Sequence, residues 1–513
     1  MKSYLKKLTS LQKLQGWLFL KAIFIIFIIL YAGIGLGPDE AQYWTWSQSL
    51  DWGYYSKPPG IAWQIWLGTK LFGQTELGVR FLSVIIAFFQ SLLIYWTAIK
   101  GGFSNRFAFW CGLIMAFSPI GILGSFFAIT DGGMLLCWTG ACLVIISALH
   151  QKKIPDTVLL GSWILVGSLF KWTIFAFWLY FFIFRYFYFP QQKISTYIKG
   201  VILSLLGFLP SIYWNTSHDW ATFRHVFATI GGGSVHQAGG NFFEFIGSQA
   251  LLISPILFIL LLSSLVLCFR LKDQLSPVMM FCVIVTASLL GLALIISLFQ
   301  KVQGNWVDFA YPTAIILIVW GVFELKWTHY MKIGLYLSVG LTCTVIFMAS
   351  LFSMPSLSEG LNFKLNPLKH NMGWVQLEKN LKTYGYDPEQ IFLFSDKYQT
   401  TSMLSFYSEK KKRAFFLNLQ GLRRNQFSYW PSLFETQKNK IGFFVWIENK
   451  PHFQKSWEEK RDDYINQLSN YFEKVEFVAL TPLIKDQSGM AKVAMIIKCE
   501  NCKKEIENKY NYY

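Results

Sequence analysis

Charge is scarce in this chain. Of 513 residues only 15% are Asp, Glu, Lys or Arg, while 53% are hydrophobic, which excludes an ordinary water-soluble fold, where about a quarter of residues are charged. Acids are the scarcer sign, 29 against 46 Lys and Arg, for a net charge of +17. The bases are scattered between apolar runs and through the C-terminal region. That distribution fits membrane topology and excludes a nucleic-acid surface. Cysteine is sparse as well: six of the eight, Cys111, Cys137, Cys142, Cys268, Cys282 and Cys343, lie inside apolar stretches, so no disulfide framework is expected. Cys499 and Cys502 form a lone Cys-x-x-Cys, too few ligands for a structural zinc site; a local disulfide or no special role is expected there. Histidine numbers only seven. His218, His225 and His236 do not stand at metal-ligand spacings, so no metal site is expected.

What the chain does have is aromatic residues, 18% of the total, and long apolar runs. These lie near 17–36, 79–99, 107–127, 134–149, 157–170, 173–189, 198–213, 248–269, 277–299, 311–325 and 333–353, which predicts about eleven membrane spans. The first follows a basic N-terminus (Lys2, Lys6, Lys7, Lys13) and precedes no small-residue cleavage site, so it reads as an uncleaved span. With the N-terminus cytoplasmic, alternate short loops should be basic. They hold Lys100 and Arg106, Lys152 and Lys153, Lys193 and Lys199, Arg270 and Lys272, and Lys326 and Lys332.

The opposite loops carry ionisable residues at span ends, where such groups are functional candidates. Among them are Asp39, Glu40, Lys57, Asp131, Lys171, Asp219, Arg224 and Asp308. Residues 1–354 therefore read as a membrane domain with its chemistry on the extracytoplasmic face. Past that point the composition changes. "QIFLFSD", "RAFFLNL", "KIGFFVWIE", "KVEFVAL" and "KVAMIIK" read as strands, and "GWVQLEKNLKTYG" and "SWEEKRDDYINQLSNYFEKV" as helices. Residues 355–513 are thus expected to form a soluble α/β domain, which an odd number of spans sets beside the acidic first loop.

That loop, "GPDEAQYWTWSQSLDWGYYSKPPG", is the most informative stretch. Adjacent Asp39 and Glu40 would point about 100° apart on a helix, so one acts and the other supports. A carboxylate held near apolar groups has its proton affinity raised toward that of a general base; alternatively the pair simply starts a helix behind Pro38. The Trp/Tyr-rich continuation reads as an amphipathic segment in the headgroup plane. It delivers Lys57 into a Lys-Pro-Pro turn that holds the residue out of helix, suited to a phosphate, or as a snorkelling lysine of an aromatic belt. Asp131 in "ITDGGML" has no base near it in sequence and reads as a second acid or a helix cap. In "YWNTSHDWATFRHV", Arg224 suits a phosphate oxygen. "IGGGSVHQAGGN" lacks a phosphate-loop ending and is expected to be a flexible lid.

Taken together, "PDEAQYW", "LDWGYYSKPPGIAW", the "FG…E…R" ending at Arg80, "ITDGG", "WNTSHDWATFRH", "GNWVDFAYP" and "SDKYQTTSMLSFY" resemble the bacterial membrane glycosyltransferases related to protein O-mannosyltransferases and to the aminoarabinose transferases of lipid A. The resemblance implies a C-type glycosyltransferase fold. In such a fold a sugar passes with inversion from a polyprenyl phosphate to an extracytoplasmic acceptor. It implies Asp39 as the base, with Glu40 and Asp131 as further catalytic acids. Lys57, Arg224 and Arg80 would meet the donor phosphate, and Tyr43, Tyr55, His218 and Asn305 would line the substrate pocket. There is no β-trefoil accessory domain, which weakens a protein acceptor, and the first loop is shorter than in the aminoarabinose transferases, so their amino-sugar specificity does not carry over.

The residues fit that chemistry independently. A lipid-linked phosphosugar needs an apolar slot for its tail, a cation for its phosphate and a base for the acceptor hydroxyl. No cofactor is expected, since the lipid-linked sugar is itself a substrate and no motif indicates a divalent metal. The expected partners are membrane lipids, the donor, and lipid A, lipopolysaccharide or another envelope glycan as acceptor. The expected location is the bacterial inner membrane, with the site and C-terminal domain periplasmic. The rivals are a flippase for lipid-linked sugars, which calls for broken helices and inverted repeats not evident in the sequence, and a protein O-glycosyltransferase.

Overall fold

A computed structural model describes residues 8–190, 193–230, 239–449, 456–487 and 489–504. Most of the expected lid, with His236, lies outside these residues. The chain is a multi-pass membrane protein. Among the described residues seven helices are long and apolar enough to cross a bilayer: Ser10–Tyr31, Glu76–Lys100, Thr130–Gln151, Ser195–Thr216, Pro277–Ile296, Gly304–Glu324 and Thr328–Phe352. Two bent pairs raise the number to nine: Asn105–Phe117 with Pro119–Phe126, at 55°, and Phe242–Ile253 with Pro255–Arg270, at 104°. A proline stands at each break, where it removes a backbone donor and clashes with the preceding turn. Broken helices are therefore present, contrary to the reading of the sequence. Each of the eleven apolar runs falls on one of these elements or on the shorter helices Thr157–Ser168 and Trp172–Tyr188.

Helix Thr130–Gln151 runs through the core of the membrane domain. Its Trp138 is fully buried and packs edge-on against Phe177 at 4.9 Å and tilted against Phe309 at 4.7 Å. Small residues allow close helix crossings, as in many membrane bundles. A Cβ added at Gly161 would lie 2.2 Å from the Gly200 carbonyl oxygen, so only glycine fits where these two helices meet.

The C-terminal region contains a five-stranded sheet whose strands coincide with the five segments read from the sequence: β1 Ile391–Ser395, β2 Phe415–Phe416, β3 Ile441–Asn449, β4 Phe472–Asp486 and β5 Gly489–Cys502. Their order is β2-β1-β3-β5-β4, with β2, β1 and β3 parallel and the rest antiparallel. Side chains alternate between faces, as the pleat requires. Leu393, Phe443 and Val445 pack with helices Trp374–Thr383 and Tyr398–Tyr407, whereas Phe392, Phe394, Phe444 and Trp446 pack with helix Trp457–Ser469. Cys499 and Cys502 are buried thiols, and the Cys502 thiol donates to the Lys504 carbonyl at 3.6 Å.

The first of these cores is continuous with the loop after the first span. Trp44, Trp46, Tyr54 and Ile61 belong to the same cluster as Met403, Phe406 and Tyr407. Trp44 meets Phe406 edge-on at 5.0 Å. The Tyr407 hydroxyl accepts the Leu36 amide proton at 2.7 Å and donates to Glu76 Oε1 at 3.0 Å. The sheet domain therefore sits on the same side as the acidic first loop. Its weight also displaces the aromatic-belt reading: Trp44, Trp46, Tyr54 and Tyr55 are buried under the domain, leaving Trp52 exposed.

Candidate active site

The first loop begins with helix Pro38–Ser47, built as its sequence dictates. Pro38 occupies the first turn, and Glu40 Oε2 accepts the Gly37 amide proton at 2.8 Å, closing the helix start. The adjacent acids diverge. Glu40 points inward, 2% exposed, and receives Arg80 as a two-pronged pair, Nε to Oε1 at 2.9 Å and Nη2 to Oε2 at 2.7 Å. It also accepts the Ala128 amide at 2.9 Å. Arg80 donates further to the carbonyls of Ile34 at 3.1 Å and Gly35 at 2.8 Å and lies over the Phe126 ring.

This arrangement corrects two expectations. Glu40 and Arg80 hold the first span, the first loop and the segment before Thr130 together, and neither lines the cavity that contains Asp39. Arg80→Leu is expected to cost about 3–5 kcal/mol by stranding a buried carboxylate. Thermal unfolding in detergent would register this, whereas an Arg80 serving only a ligand would leave the unfolding midpoint in place.

Asp39 points the other way and is exposed to a cavity of about 230 Å³. Lys57 lines the same cavity. Its turn is fixed by a bridge in which the Tyr54 amide donates to the Lys57 carbonyl at 3.1 Å, and by Gly60, whose amide donates to the Leu169 carbonyl at 2.7 Å. A Cβ at Gly60 would come within 2.6 Å of that oxygen, so glycine is required for this anchoring. Tyr43 and Tyr55 line the cavity as expected; Gln42, Ser56, Gln303, His225, Tyr398, Arg423 and Asn425 complete the wall.

Protein crowds these groups in the recess, and their proton affinities respond. Desolvation raises the Asp39 carboxyl above its ordinary value, against the opposing pull of Lys57 and Arg423. Desolvation lowers the Lys57 ammonium, helped by Lys171 and opposed by Asp131 and Asp39. His225 is driven down to about 3 by burial and then by Arg423 and Lys57, so it stays neutral in the physiological range.

Asp131 is buried in the first turn of its helix without capping it, and its base comes from far along the chain. Lys171 donates to Asp131 Oδ1 at 2.5 Å, and Asn305 Nδ2 donates to Oδ2 at 3.1 Å. Asp308 is close enough to bear on both charges of the pair. Lys57 in turn feels both Asp131 and Asp39, so this second cluster flanks the cavity, although Asp131 and Asn305 are not in its wall. Arg224 and His218 are elsewhere. Arg224 is half-exposed and pairs with Asp219 at 2.9 Å, drawn there by the charge five residues before it. His218 stacks on Trp214 at 3.9 Å. The phosphate and pocket roles expected of them have no counterpart in the cavity wall.

The residues that sequence reading missed include three from the sheet domain, Tyr398, Arg423 and Asn425. Tyr398 follows β1 and Arg423 follows β2, and both reach over the first loop. Arg423 Nη1 lies 3.1 Å from His225 Nδ1, and Tyr398 also hydrogen-bonds to Arg423. The available signal was the doublet Arg423–Arg424 in a Gly/Asn-rich loop, but nothing local tells such a loop to cover a membrane site. A roomier cavity of about 700 Å³ lies between the end of helix Thr328–Phe352 and the sheet domain. Its charged lining residues, Glu359, Lys379 and Lys485, are exposed. Among the described residues no group of three or more His, Cys, Asp or Glu is arranged to hold a metal ion.

Comparison with known proteins fits this geometry. Residues 56–214 match the dolichyl-phosphate-mannose-protein mannosyltransferase family. The chain is 28% identical over 321 residues to the lipid A galacturonosyltransferase RgtD of Rhizobium johnstonii, a match spanning 61% of this chain and 66% of that one. That is just under two thirds of the relative's length. The crystal structure of ArnT from Cupriavidus metallidurans bound to undecaprenyl phosphate superimposes with a TM-score of 0.61 at 13% identity, covering 94% of this chain and 98% of that one. The chain shares the fold of ArnT. A second relative, the undecaprenyl phosphate-alpha-4-amino-4-deoxy-L-arabinose arabinosyl transferase of Edwardsiella ictaluri, is 30% identical over 102 residues, 17% of this chain and 18% of that one. The shared fold thus frames the cavity into which Asp39 and Lys57 open.

Proposed function

We propose that this protein transfers a sugar, with inversion, from undecaprenyl phosphate to lipid A or a related envelope glycolipid on the periplasmic face of the inner membrane. The observation that carries the reading is the single cavity into which Asp39 and Lys57 both open, beside the end of the first span. In the proposed step the acceptor hydroxyl oxygen forms a bond to the anomeric carbon. Its proton passes to the Asp39 carboxylate. The bond from the anomeric carbon to the phosphate oxygen breaks, and its electron pair leaves with the lipid phosphate. Lys57 balances the charge that grows there. Asp131, tied to Lys171 and Asn305, adjusts the field around Lys57 and is the candidate for orienting the acceptor or sugar. The lipid A acceptor and undecaprenyl carrier are supported by the named activities of the relatives and by the ligand of the superimposed structure.

Mass spectrometry of lipid A, lipopolysaccharide core and envelope glycans from a deletion strain tests the reading. One missing hexose, hexosamine or uronic acid is expected; unchanged masses in all three fractions would contradict it. The pH profile supplies a second check. Asp39 must be deprotonated to act, so activity should fall on acidification through a value above the ordinary carboxylate range. Lys57 must be protonated, so activity should fall on alkalinisation through a value below that of an ordinary lysine. Transfer assays across this range should trace a bell narrower than unshifted groups would give.

A further inference from the structure

We propose that the sheet domain supplies half of the donor phosphate site, with Arg423 as the second cation that binds the phosphate opposite Lys57. The inference rests on the function proposed above and adds a residue and a domain to it. As the sugar departs, the phosphate goes from one negative charge to two, and a lysine ammonium alone matches only the first. The other bases expected to help, Arg80 and Arg224, are engaged by Glu40 and Asp219. Among the described residues of the cavity wall the cationic side chains are Lys57 and Arg423, His225 being held neutral. A guanidinium has the planar fork that grips two phosphate oxygens at once.

The domain is built to hold this arginine still. β1 and β2 are parallel, and Tyr398 and Arg423 both come from the chain beyond their C-terminal ends, the edge of a parallel sheet where ligands usually bind. The loop after β2 is braced at several points. Asn418 exchanges two bonds with Leu422, at 2.7 and 2.8 Å. Gln420 approaches the Tyr464 hydroxyl, which donates to buried Asp396 at 2.7 Å. Gln426 Oε1 accepts the amide proton of Tyr55, close before Lys57, at 2.7 Å and so ties this loop to the membrane domain. Arg423 thus enters the cavity on a support anchored to both domains.

The test measures binding of undecaprenyl phosphate, the leaving group itself, to full-length protein in nanodiscs. Arg423→Ala should weaken binding roughly 10- to 100-fold, the range for hydrogen bonds to a charged group, and slow transfer at least as much. Arg423→Lys should restore some of the loss. Lys412→Ala, an exposed base of the same domain, should change neither. Should Arg423→Ala lower the yield of folded protein, Arg423→Lys and Arg423→Gln carry the comparison, with unfolding midpoints measured alongside. Wild-type affinity in Arg423→Ala or Arg423→Gln overturns the inference and leaves the proposed function standing. A wild-type protein that does not bind undecaprenyl phosphate removes the proposed function as well.

Discussion

Asp39→Asn is expected to yield a folded protein that binds undecaprenyl phosphate with wild-type affinity and transfers sugar about 10³-fold more slowly, within the range for losing a positioned general base. The reasons for the two halves of that result are separate. Asp39 does not belong to the packing that holds the loop; its neighbour Glu40 does that work with Arg80, Gly37 and Ala128. The amide keeps the size of the acid and cannot take a proton from an acceptor hydroxyl. A rate within a few-fold of wild type would exclude Asp39 as the base. Glu40→Gln should fail differently, in unfolding temperature first, because it weakens a buried pair.

Lys57→Met should be nearly as damaging, losing about 10²- to 10³-fold in transfer, the magnitude found when one charge-stabilising donor is removed from a reacting centre. Methionine keeps the unbranched apolar stem and removes only the ammonium end, so the Lys-Pro-Pro turn and its backbone bridge to Tyr54 should survive. Because the negative charge on phosphate grows during the reaction, kcat should fall more than affinity for the donor. The converse, a large loss of affinity with kcat unchanged, would make Lys57 an anchor for the ground state only.

The legible regions of this protein are those governed by local rules. Apolar run length gave the position of every span-like element, and short apolar runs rich in β-branched and aromatic residues in "KIGFFVWIE" and "KVAMIIK" gave β3 and β5. The Pro-Asp-Glu start gave the helix at Pro38–Ser47. The unread regions depend on partners distant in sequence. Asp131 looked isolated because Lys171 is forty residues on, and Arg80 looked available because Glu40 is forty residues back. The Trp/Tyr loop looked like an interfacial belt because the helix that covers it, residues 398–407, comes from the far end of the chain. Arg423, nearly four hundred residues from Asp39, carries no local mark of where its loop will land.

The most direct measurement is an experimental structure of the protein with undecaprenyl phosphate bound. The phosphate should rest between Lys57 and Arg423, the lipid tail should lead into the membrane, and the side of the phosphate where the sugar would sit should face Asp39. A phosphate held at the exposed Arg224 or in the cavity by Trp374, with Asp39 and Lys57 remote from it, would contradict the account.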